Sequence, residues 1–429
     1  MFARRRQQFM RAMGPGSVAL LIGSSSVQRS GDTHYPFRQD SDFWYLTGFG
    51  HPGAVALLRN DDGAPFTLFV QPRDKSAEIW NGYRPGVEGA VADHGADEAR
   101  PVDELLDAIP KLFEKARRIY HLLGRRGDID ARLLAALEEM RLRSRQGCDP
   151  ASEIVDPRSI LHEMRLFKEE EEVAIMREAA GISREAHRDA AQLAQPGRYE
   201  YELEAALCHA FRRRGASGPA YSPIVGGGAN AAVLHYITND QPLAEGELVL
   251  IDAGAELGGY ASDVTRTYPI GGQYRGAGRA VYEVVLAAQE AALAACRPGA
   301  TLPEIHDAAL RRIIEGLVSL QLLEGTVDDI VENESYRDYY MHGTSHWLGL
   351  DVHDVGRYTL DSEPRPLEPG MAFTVEPGIY IAKENEKAPE SLRGIGVRIE
   401  DDVIVTADGC ENLNSDIPKK PGEVEEWMR

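Results

Sequence analysis

Short apolar runs separated by polar turns characterise the first third of the chain. Residues 17–23, 54–60 and 66–72 have the length and composition of buried strands, and residues 102–116 have the apolar spacing of a helix. Strands that alternate with helices predict an α/β domain. Aromatic residues crowd into 34–49, and we expect most of them to pack in a core or an interface.

A longer helical pattern follows, in which apolar residues recur at three- and four-residue steps from 166 to 194. This spacing predicts one amphipathic helix. We expect the charged cluster Lys168–Glu172 to lie on its solvent-facing side. The domain boundary is placed just before this helix, which divides the chain into an N-terminal domain, 1–165, and a second domain, 166–429.

The second domain contains a weak internal repeat. One predicted helix ends at Pro196-Gly197, and another ends at Pro298-Gly299. In both places a second helix follows within a few residues, and glycine-rich turns and strands come after it. Pro-Gly pairs are common turn signals, but a repeated helix–helix–sheet order is what a duplicated unit would leave. A cleft between two related halves is a natural place for a site.

The composition limits the classes of partner. The formal net charge of −21, with no basic patch that outweighs it, argues against nucleic acid and anionic membranes. The four cysteines have no CxxC spacing, so neither a zinc knuckle nor a disulfide framework is indicated. No apolar run approaches the roughly 20 residues of a membrane span, and the run at 17–23 is too short for a signal peptide. We expect a soluble protein of the reducing cytoplasm.

Candidate chemistry is concentrated in the second domain, where four acidic residues and one histidine lie mostly in strand-like segments. These residues are Asp252, Asp263, His346, Glu376 and Glu400. A bare carboxylate is costly to bury in such a segment, so we expect cations beside them. A hairpin would bring Asp252 and Asp263 onto neighbouring strands, although a pair of turn or edge residues is an open alternative for two aspartates in isolation.

Three histidines, His342, His346 and His353, lie within twelve residues, and this density favours a site over a structural role. Glu376 precedes a Pro-Gly pair, which indicates a strand end. Glu400 is predicted inside a strand, with Arg398 and Asp402 on the same face. Arg398 would hold the carboxylate or contact substrate, whereas Asp402 is expected at the surface.

The charge of four carboxylates matches two divalent cations. Carboxylate oxygens with one imidazole suit Mn²⁺, with Zn²⁺ and Co²⁺ as alternatives. Two such ions about 3.5–4 Å apart can share a hydroxide nucleophile and polarise a carbonyl, as in aminopeptidases.

The motifs resemble a known family. Five segments resemble the metal-dependent peptidases of the pita-bread fold: LIDAGAE, SDVTRTYP, HGTSHWLGLDVHDVG, TVEPGIY and GVRIEDD. Two others resemble the N-terminal domain of aminopeptidase P (Xaa-Pro aminopeptidase): HYPFRQDSDFWYLTGF and DKSAEIWNGYRPG. The resemblance covers nearly the whole chain. It implies an α/β N-terminal domain and an α+β pita-bread catalytic domain whose two halves are related by a pseudo-twofold axis.

The resemblance also implies the roles of the ligands. Asp252 supplies two oxygens to one metal, and Asp263 and Glu400 bridge the two metals. His346 and Glu376 complete the shell of the other metal. Glu376 is also the general base that takes a proton from the bridging hydroxide.

Cleft residues follow from the same resemblance. His235 and His353 match histidines that contact substrate and stabilise the transition state, and His342 matches another cleft histidine. Without the resemblance, a packed strand-end histidine is an equally good interpretation of His235. Three further residues match groups that support the metal site or the substrate: Arg398, Tyr380 and Tyr221.

The family also implies a homodimer or homotetramer in which a second protomer contributes to the cleft, through the segment around Trp80 and through Asp32. Thr344 and the glycine run 226–228 depart from the family pattern at positions that are not ligands. These departures leave the chemistry intact and affect only fine specificity.

The resemblance thus implies an Xaa-Pro aminopeptidase that releases the N-terminal residue of peptides with proline in second position. The nearest alternative is a prolidase, which cleaves only Xaa-Pro dipeptides with the same metals. A peptide-binding module that has lost catalysis is a third interpretation, but such relatives discard ligands, and all five are present here.

Overall fold

The computed structural model describes residues 1–61 and 63–429. The chain divides into two compact units, Met1–Met164 and Arg165–Arg429, one residue before the boundary placed from the sequence. In the described residues no helix is both long enough and apolar enough to cross a bilayer.

The first unit is built on a six-stranded mixed sheet flanked by helices. Its helices are α1 (Phe2–Met13), α2 (Ser41–Thr47), α3 (Lys75–Asn81), α4 (Gly86–Ala92), α5 (Leu105–Phe113) and α6 (Gly127–Leu142), and α7 (Arg158–Leu166) contains the point of division. Its strands are β1 (Ser17–Ile22), β2 (Gln28–Ser30), β3 (Thr33–His34), β4 (Val55–Arg59), β5 (Phe66–Val70), β6 (Glu98–Pro101), β7 (Arg118–His121) and β8 (Glu153–Val155).

The sheet has the order β6–β5–β4–β1–β7–β8, with β1 antiparallel to β4 and parallel to β7. All three strands predicted from apolar runs are therefore present, and they lie side by side at the centre of the sheet. Of the predicted aromatic cluster, Phe43, Tyr45 and Phe49 are buried, whereas Tyr35 is 54% exposed.

The second unit contains helical hairpins and short antiparallel sheets. Its helices are α8 (Glu170–Leu193), α9 (Glu200–Arg213), α10 (Gly276–Ala295), α11 (Leu302–Ser319), α12 (Val327–Glu332) and α13 (Pro421–Trp427). Its strands are β9 (Gly218–Pro219), β10 (Ile224–Gly227), β11 (Leu248–Asp252), β12 (Ala255–Leu257), β13 (Tyr260–Ala261), β14 (Thr265–Pro269), β15 (Thr359–Leu360), β16 (Glu363–Pro364), β17 (Ala372–Val375), β18 (Gly378–Ile381), β19 (Ile395–Arg398), β20 (Asp401–Val405) and β21 (Cys410–Asn412).

The repeated order seen in the sequence is visible in this unit. α8 packs on α9 and is followed by the antiparallel sheet β10–β11–β14, while α10 packs on α11 and is followed by β17–β20–β21. One continuous apolar core joins the four helices to both sheets. β19 lies against β11 and β14, which places the acidic ends of the two halves beside each other.

The prediction of one uninterrupted helix from 166 to 194 is wrong. Glu169 and Glu172 form a capping box that starts α8 as a new helix, and Phe167 instead forms an isolated bridge with Met371, the residue before β17. The predicted solvent-facing cluster is confirmed for Glu170 and Glu171, which are exposed, and wrong for Lys168 and Glu172, which are buried. The Lys168 ammonium donates to Asp354 at 3.0 Å, so a partner far along the chain compensates its charge.

Candidate metal centre

Two aspartates meet where β11 and β14 pair. Asp252 is the last residue of β11 and faces Thr265, the first residue of β14, while Asp263 lies two positions earlier. The Tyr221 hydroxyl oxygen is 2.5 Å from Asp252 Oδ1 and 2.6 Å from Asp263 Oδ1. A hydroxyl has one proton to donate, so it cannot satisfy both carboxylates at once. The space between them therefore suits a cation.

The turn between these aspartates depends on a close backbone approach at Gly254. A Cβ atom at this position would lie 1.7 Å from the carbonyl oxygen of Ser262. Only glycine permits this contact, because any side chain would push the two segments apart. The separation of Asp252 and Asp263 is thus set by the backbone itself.

His346 and Glu376 approach from the other half. Glu376 directly follows β17, and its N–H donates to Thr344 O at 2.8 Å. His346 Nε2 lies 3.4 Å from both Asp263 Oδ2 and Glu376 Oε1. Burial lowers the pKa of His346, but the hydrogen bond to Asp263 and the charge of Glu376 outweigh this and raise it to about 9. The imidazole thus lies in a strongly negative environment.

Glu400 completes the acidic cluster. It occupies the break between β19 and β20, not the interior of a single strand as predicted, and its N–H donates to Thr265 O at 3.0 Å. Ligand atoms of Asp263, His346 and Glu400 all lie within 4.8 Å of one another. Burial, followed by the charge of Asp263, raises the pKa of Glu400 well above its usual range.

Cationic partners are few around this cluster. Arg398 Nη2 donates to Asp252 Oδ2 at 2.5 Å. Burial raises the pKa of Glu376 to about 7, even though His346 and Arg398 oppose the shift. Among the described residues, the four carboxylates thus face one guanidinium, with the imidazoles of His346 and His342 within 4 Å, and a net negative charge is left for divalent cations to offset. Carboxylate oxygens with a single imidazole form a suitable donor set for such ions.

The five predicted ligands line one cavity of about 280 Å³ in the second unit. Its other lining residues are Leu234, His235, His342, Gly343, Ser345, His353 and Arg398. The cavity therefore brings together the predicted metal ligands, all three predicted cleft histidines and the predicted arginine. Its size is close to the lower end of small-molecule sites.

A hydrogen-bonded chain runs along one wall of this cavity. Arg398 Nη1 donates to the Tyr380 hydroxyl at 3.0 Å, and that hydroxyl lies 2.8 Å from His342 Nε2. Burial, then the charge of Arg398, lowers the pKa of His342 to about 4, so the ring is neutral at pH 7. His342 Nε2 can therefore accept a hydrogen bond from the Tyr380 hydroxyl, while the hydroxyl oxygen accepts one from Arg398.

His353 packs against His346, with ring centroids 4.4 Å apart and planes nearly perpendicular. Burial, then the charge of His346, lowers the pKa of His353. His235 lies on the loop after β10, and its side chain is exposed. Trp80 and Asp32 belong to the first unit, where both are exposed, Trp80 to 86%.

The comparisons with known proteins place this centre in a family. Residues 174–407 match the description Metallopeptidase family M24, and residues 2–120 match Aminopeptidase P, N-terminal domain. The chain belongs to metallopeptidase family M24. It is 45% identical to the Xaa-Pro aminopeptidase of Escherichia coli, with 100% of this chain and 97% of that protein covered. Its identity to the Xaa-Pro aminopeptidase of Haemophilus influenzae is 42%, covering 100% and 96%.

Solved structures show the same similarity. The aminopeptidase PepP of Pseudomonas aeruginosa superposes with a TM-score of 0.96 at 47% identity, covering 100% of this chain and 97% of that one. Zinc-substituted Escherichia coli aminopeptidase P in complex with product gives 0.95 at 45% identity, with the same coverage. The predicted family, the two-domain fold and the class of metal-dependent peptidase are thereby confirmed. A divalent-metal centre is a property of M24 metallopeptidases, and the acidic cluster fits one.

One part of the M24 site was assigned wrongly from the sequence. Asp402 was expected at the surface, yet it is 1% exposed. Its carboxylate accepts from the Asp263 N–H at 3.1 Å and from the Ser262 hydroxyl at 3.0 Å, so it orients a predicted ligand. The period-two alternation, which placed Asp402 on the same strand face as Glu400, was the sequence signal that could have predicted its burial beside the site.

Thr265 was not singled out in the sequence. Its hydroxyl donates to Glu400 Oε2 at 2.5 Å and accepts from Arg398 Nε at 3.1 Å. This hydroxyl therefore links a predicted ligand to the predicted arginine. Nothing in the sequence distinguishes it from Thr267, the other threonine of the strand.

Proposed function

We propose that this M24 metallopeptidase is a dinuclear aminopeptidase, with Mn²⁺ as its preferred metal, that removes the N-terminal residue when proline follows it. One observation carries the proposal: all five predicted ligands converge in one cavity with three histidines and Arg398. The full-length similarity to two Xaa-Pro aminopeptidases supports the choice of substrate.

The substrate class has a physical rationale. A peptide bond to proline is a tertiary amide without an N–H group, so a peptidase that must bind that proton cannot act on it. Two divalent ions held by the five ligands would polarise the scissile carbonyl and lower the pKa of a bound water. The protein then has no need of the missing proton.

The roles of the ligands are part of the proposal. With metal bound, Asp252 would ligate one ion, His346 and Glu376 would ligate the other, and Asp263 and Glu400 would be shared by both. Burial raises the pKa of Glu376 to about 7 in the metal-free chain, and ligation would keep its carboxylate deprotonated beside the metal pair, where it could accept a proton from the bound water. Glu376 is therefore assigned as the general base.

The remaining cleft residues bind and orient the peptide. His235 and His353 lie far apart in sequence but line the same cavity, where each can donate to a carbonyl oxygen of the substrate. Arg398 and Tyr380 are joined by a hydrogen bond, and we assign them to the proline end. Tyr221, between Asp252 and Asp263, is assigned to the metal side of the cleft.

Prolidase activity is the nearest alternative, since both reactions use the same metals. The match of residues 2–120 to the N-terminal domain of aminopeptidase P favours the aminopeptidase. A homodimer or homotetramer in the cytoplasm is part of the same proposal. The highly exposed side chain of Trp80, and the Asp32 segment, are the surfaces through which a second copy would contribute to the cleft.

The test is hydrolysis by the Mn²⁺-loaded protein, detected by mass, of an Xaa-Pro-Yaa tripeptide and an Xaa-Pro dipeptide side by side. Cleavage of the tripeptide at the Xaa–Pro bond supports the aminopeptidase, and cleavage of the dipeptide alone would assign the protein as a prolidase. The chelated protein is the control. Reloading it with Zn²⁺ or Co²⁺ instead of Mn²⁺ tests the metal preference.

A further inference from the structure

Outside the cavity lies a buried carboxylate whose two oxygens both have hydrogen-bond donors. Glu200, in the first turn of α9, is 0% exposed. Its Oε1 accepts from Gly227 N at 2.8 Å and Asn230 Nδ2 at 2.9 Å, and its Oε2 accepts from the Tyr236 hydroxyl at 2.8 Å and Gln241 N at 2.9 Å. Two bonds to each oxygen use the acceptor capacity of an ionised carboxylate.

All four donors come from a single segment, residues 227–241. This segment leaves β10, forms one short 3₁₀ turn and then runs without regular structure. His235 lies inside it, next to the Tyr236 that Glu200 binds. The N–H of Glu200 also donates to Gln241 O at 3.0 Å, so the far end of the segment is held through both backbone and side chain.

The next turn of α9 binds the same segment. Glu204 Oε2 accepts from Asn239 Nδ2 at 3.0 Å. Asn239 is 1% exposed and has a φ of 49°, a left-handed conformation that asparagine tolerates better than most residues. Its Oδ1 accepts from Val225 N at 3.0 Å, which ties the segment back to β10. α9 therefore holds the loop at two successive turns.

We propose that Glu200 is a positioning residue for catalysis, which keeps His235 in the cleft by clamping the 227–241 loop. This inference rests on the proposed role of His235. The negative charge is essential, because all four partners donate protons and bonds to an ionised acceptor are the stronger kind. A neutral glutamine would turn its NH₂ group toward the two donors of one carboxylate oxygen. The hydrogen bonds that hold that part of the loop would then be lost.

The matched control is Glu172, another buried glutamate on the preceding helix. It is 1% exposed and accepts from the Tyr260 hydroxyl at 2.7 Å and from the Glu169 N–H at 2.8 Å, two groups outside the 227–241 loop. Glu172→Gln therefore removes a comparable buried charge while the four clamp bonds remain. Tyr236→Phe is the milder second variant, because it deletes one of the four bonds and leaves the carboxylate in place.

The first measurement is hydrogen–deuterium exchange of the metal-loaded, full-length protein, which does not depend on knowing the substrate. Glu200→Gln, and more weakly Tyr236→Phe, should raise exchange within 227–241, whereas Glu172→Gln should leave that segment as in wild type. Unchanged exchange in the Tyr236→Phe and Glu200→Gln proteins would overturn the clamp. Failure of the proposed function would appear separately, as absent cleavage by the wild-type protein.

The second measurement is a double-mutant cycle on tripeptide hydrolysis. Glu200→Gln should lower kcat by about 10- to 100-fold with KM little changed, since a misplaced catalytic group costs this much. In a His235→Ala background the same substitution should cause no further loss. Fully additive losses, or equal losses in Glu172→Gln, would show that Glu200 acts on stability alone and would overturn the proposal.

Discussion

Two consecutive residues, Glu400 and Asp401, are equally buried yet have opposite electrostatic surroundings. Glu400 is 2% exposed and Asp401 is 0% exposed. Burial, followed by the charges of neighbouring acids, raises the pKa of Glu400 well above its usual range. Burial also acts to raise the pKa of Asp401, but Arg266 and Lys419 outweigh it, and the net pKa is lowered.

The contacts of Asp401 explain the contrast. Its carboxylate accepts from Arg266 at 2.7 Å, Lys419 at 2.6 Å, Gln289 at 2.7 Å and Asn412 at 2.7 Å. These four groups come from four different parts of the second unit. Asp401 is thus an ion-paired structural group, whose charge is balanced by the chain itself.

The acidic cavity lacks that balance. Asp252, Asp263, Glu376 and Glu400 share Arg398 as their guanidinium partner among the cavity-lining residues. A buried acid supplied with cations by the chain stabilises the fold, whereas acids without them are prepared for ions from solution. Burial alone therefore does not distinguish the two kinds of acid, whereas the count of compensating charges does.

The largest expected effect is on catalysis. Glu376→Ala should lower turnover of the tripeptide by on the order of 10²–10⁴-fold, since it deletes the assigned general base, while the circular dichroism spectrum stays native. Glu384→Ala, at an exposed residue of the same region, is the control. Normal turnover in Glu376→Ala would contradict the assigned role.

At Asp401, whose charge is compensated by the chain, substitution by asparagine (Asp401→Asn) should lower the free energy of unfolding by about 3–5 kcal/mol. Arg266 would then be left buried with its charge unpaired. Urea denaturation measures this loss. Asp408→Asn, at an exposed position shortly after β20, should be close to neutral. Equal stabilities of the two variants would refute the structural role of Asp401.

The pH dependence of stability should depend on bound metal. Without metal, Glu376 binds a proton more tightly in the folded chain, with a pKa of about 7 against 4.5, and His346 does so with about 9 against 6.5. Both groups stabilise the fold below their unfolded pKa values and lose that contribution as pH rises through the folded values. The melting temperature of the chelated protein should thus fall between about pH 7 and pH 9, above the range in which histidines with lowered pKa values, such as His342, lose their protons.

Bound metal should remove this trend in the same interval, because ligation keeps both groups deprotonated. Thermal melts of chelated and Mn²⁺-loaded protein at matched pH provide the comparison. A chelated protein that becomes more stable as pH rises would contradict the raised pKa values.

A smaller effect, with the opposite sign to that of Asp401→Asn, is expected at the neighbouring position. In chelated protein, Glu400→Gln should leave the free energy of unfolding unchanged or raise it by on the order of 1 kcal/mol, because it removes an acid whose ionised form lacks compensation and whose pKa is raised by burial. The same variant should bind less metal. A loss as large as that of Asp401→Asn would mean that Glu400 is also a structural ion-pair partner.

The smallest effect is expected at the surface. Arg279 and Glu283 form an i,i+4 pair on α10 at 2.9 Å, with both side chains 51% exposed. Glu283→Ala should change stability by less than about 0.5 kcal/mol, since water screens such pairs. If Glu283→Ala lowered the free energy of unfolding by several kcal/mol, burial would be a poor guide to how much each charged group contributes to stability.

Local pattern was enough to single out the candidate ligands. Asp252 ends an apolar run, and Glu376 precedes a Pro-Gly pair at a strand end. An acid in such a segment is conspicuous from the order of residues alone. The same signal failed for Asp402 and Lys168, which are buried through polar contacts with distant parts of the chain, Asp263 and Asp354 respectively.

The sequence by itself determined the strands, the helical hairpins and the identity of the acidic and histidine groups, because each depends on neighbours within a few residues. The tertiary structure decided which charges are compensated. Lys168 meets Asp354 across 186 positions, and Asp402 meets Asp263 across 139. Adjacent Glu400 and Asp401 acquire opposite pKa shifts only when the fold delivers cations to one of them. Coulomb interactions depend on distance in space, which a local pattern does not contain.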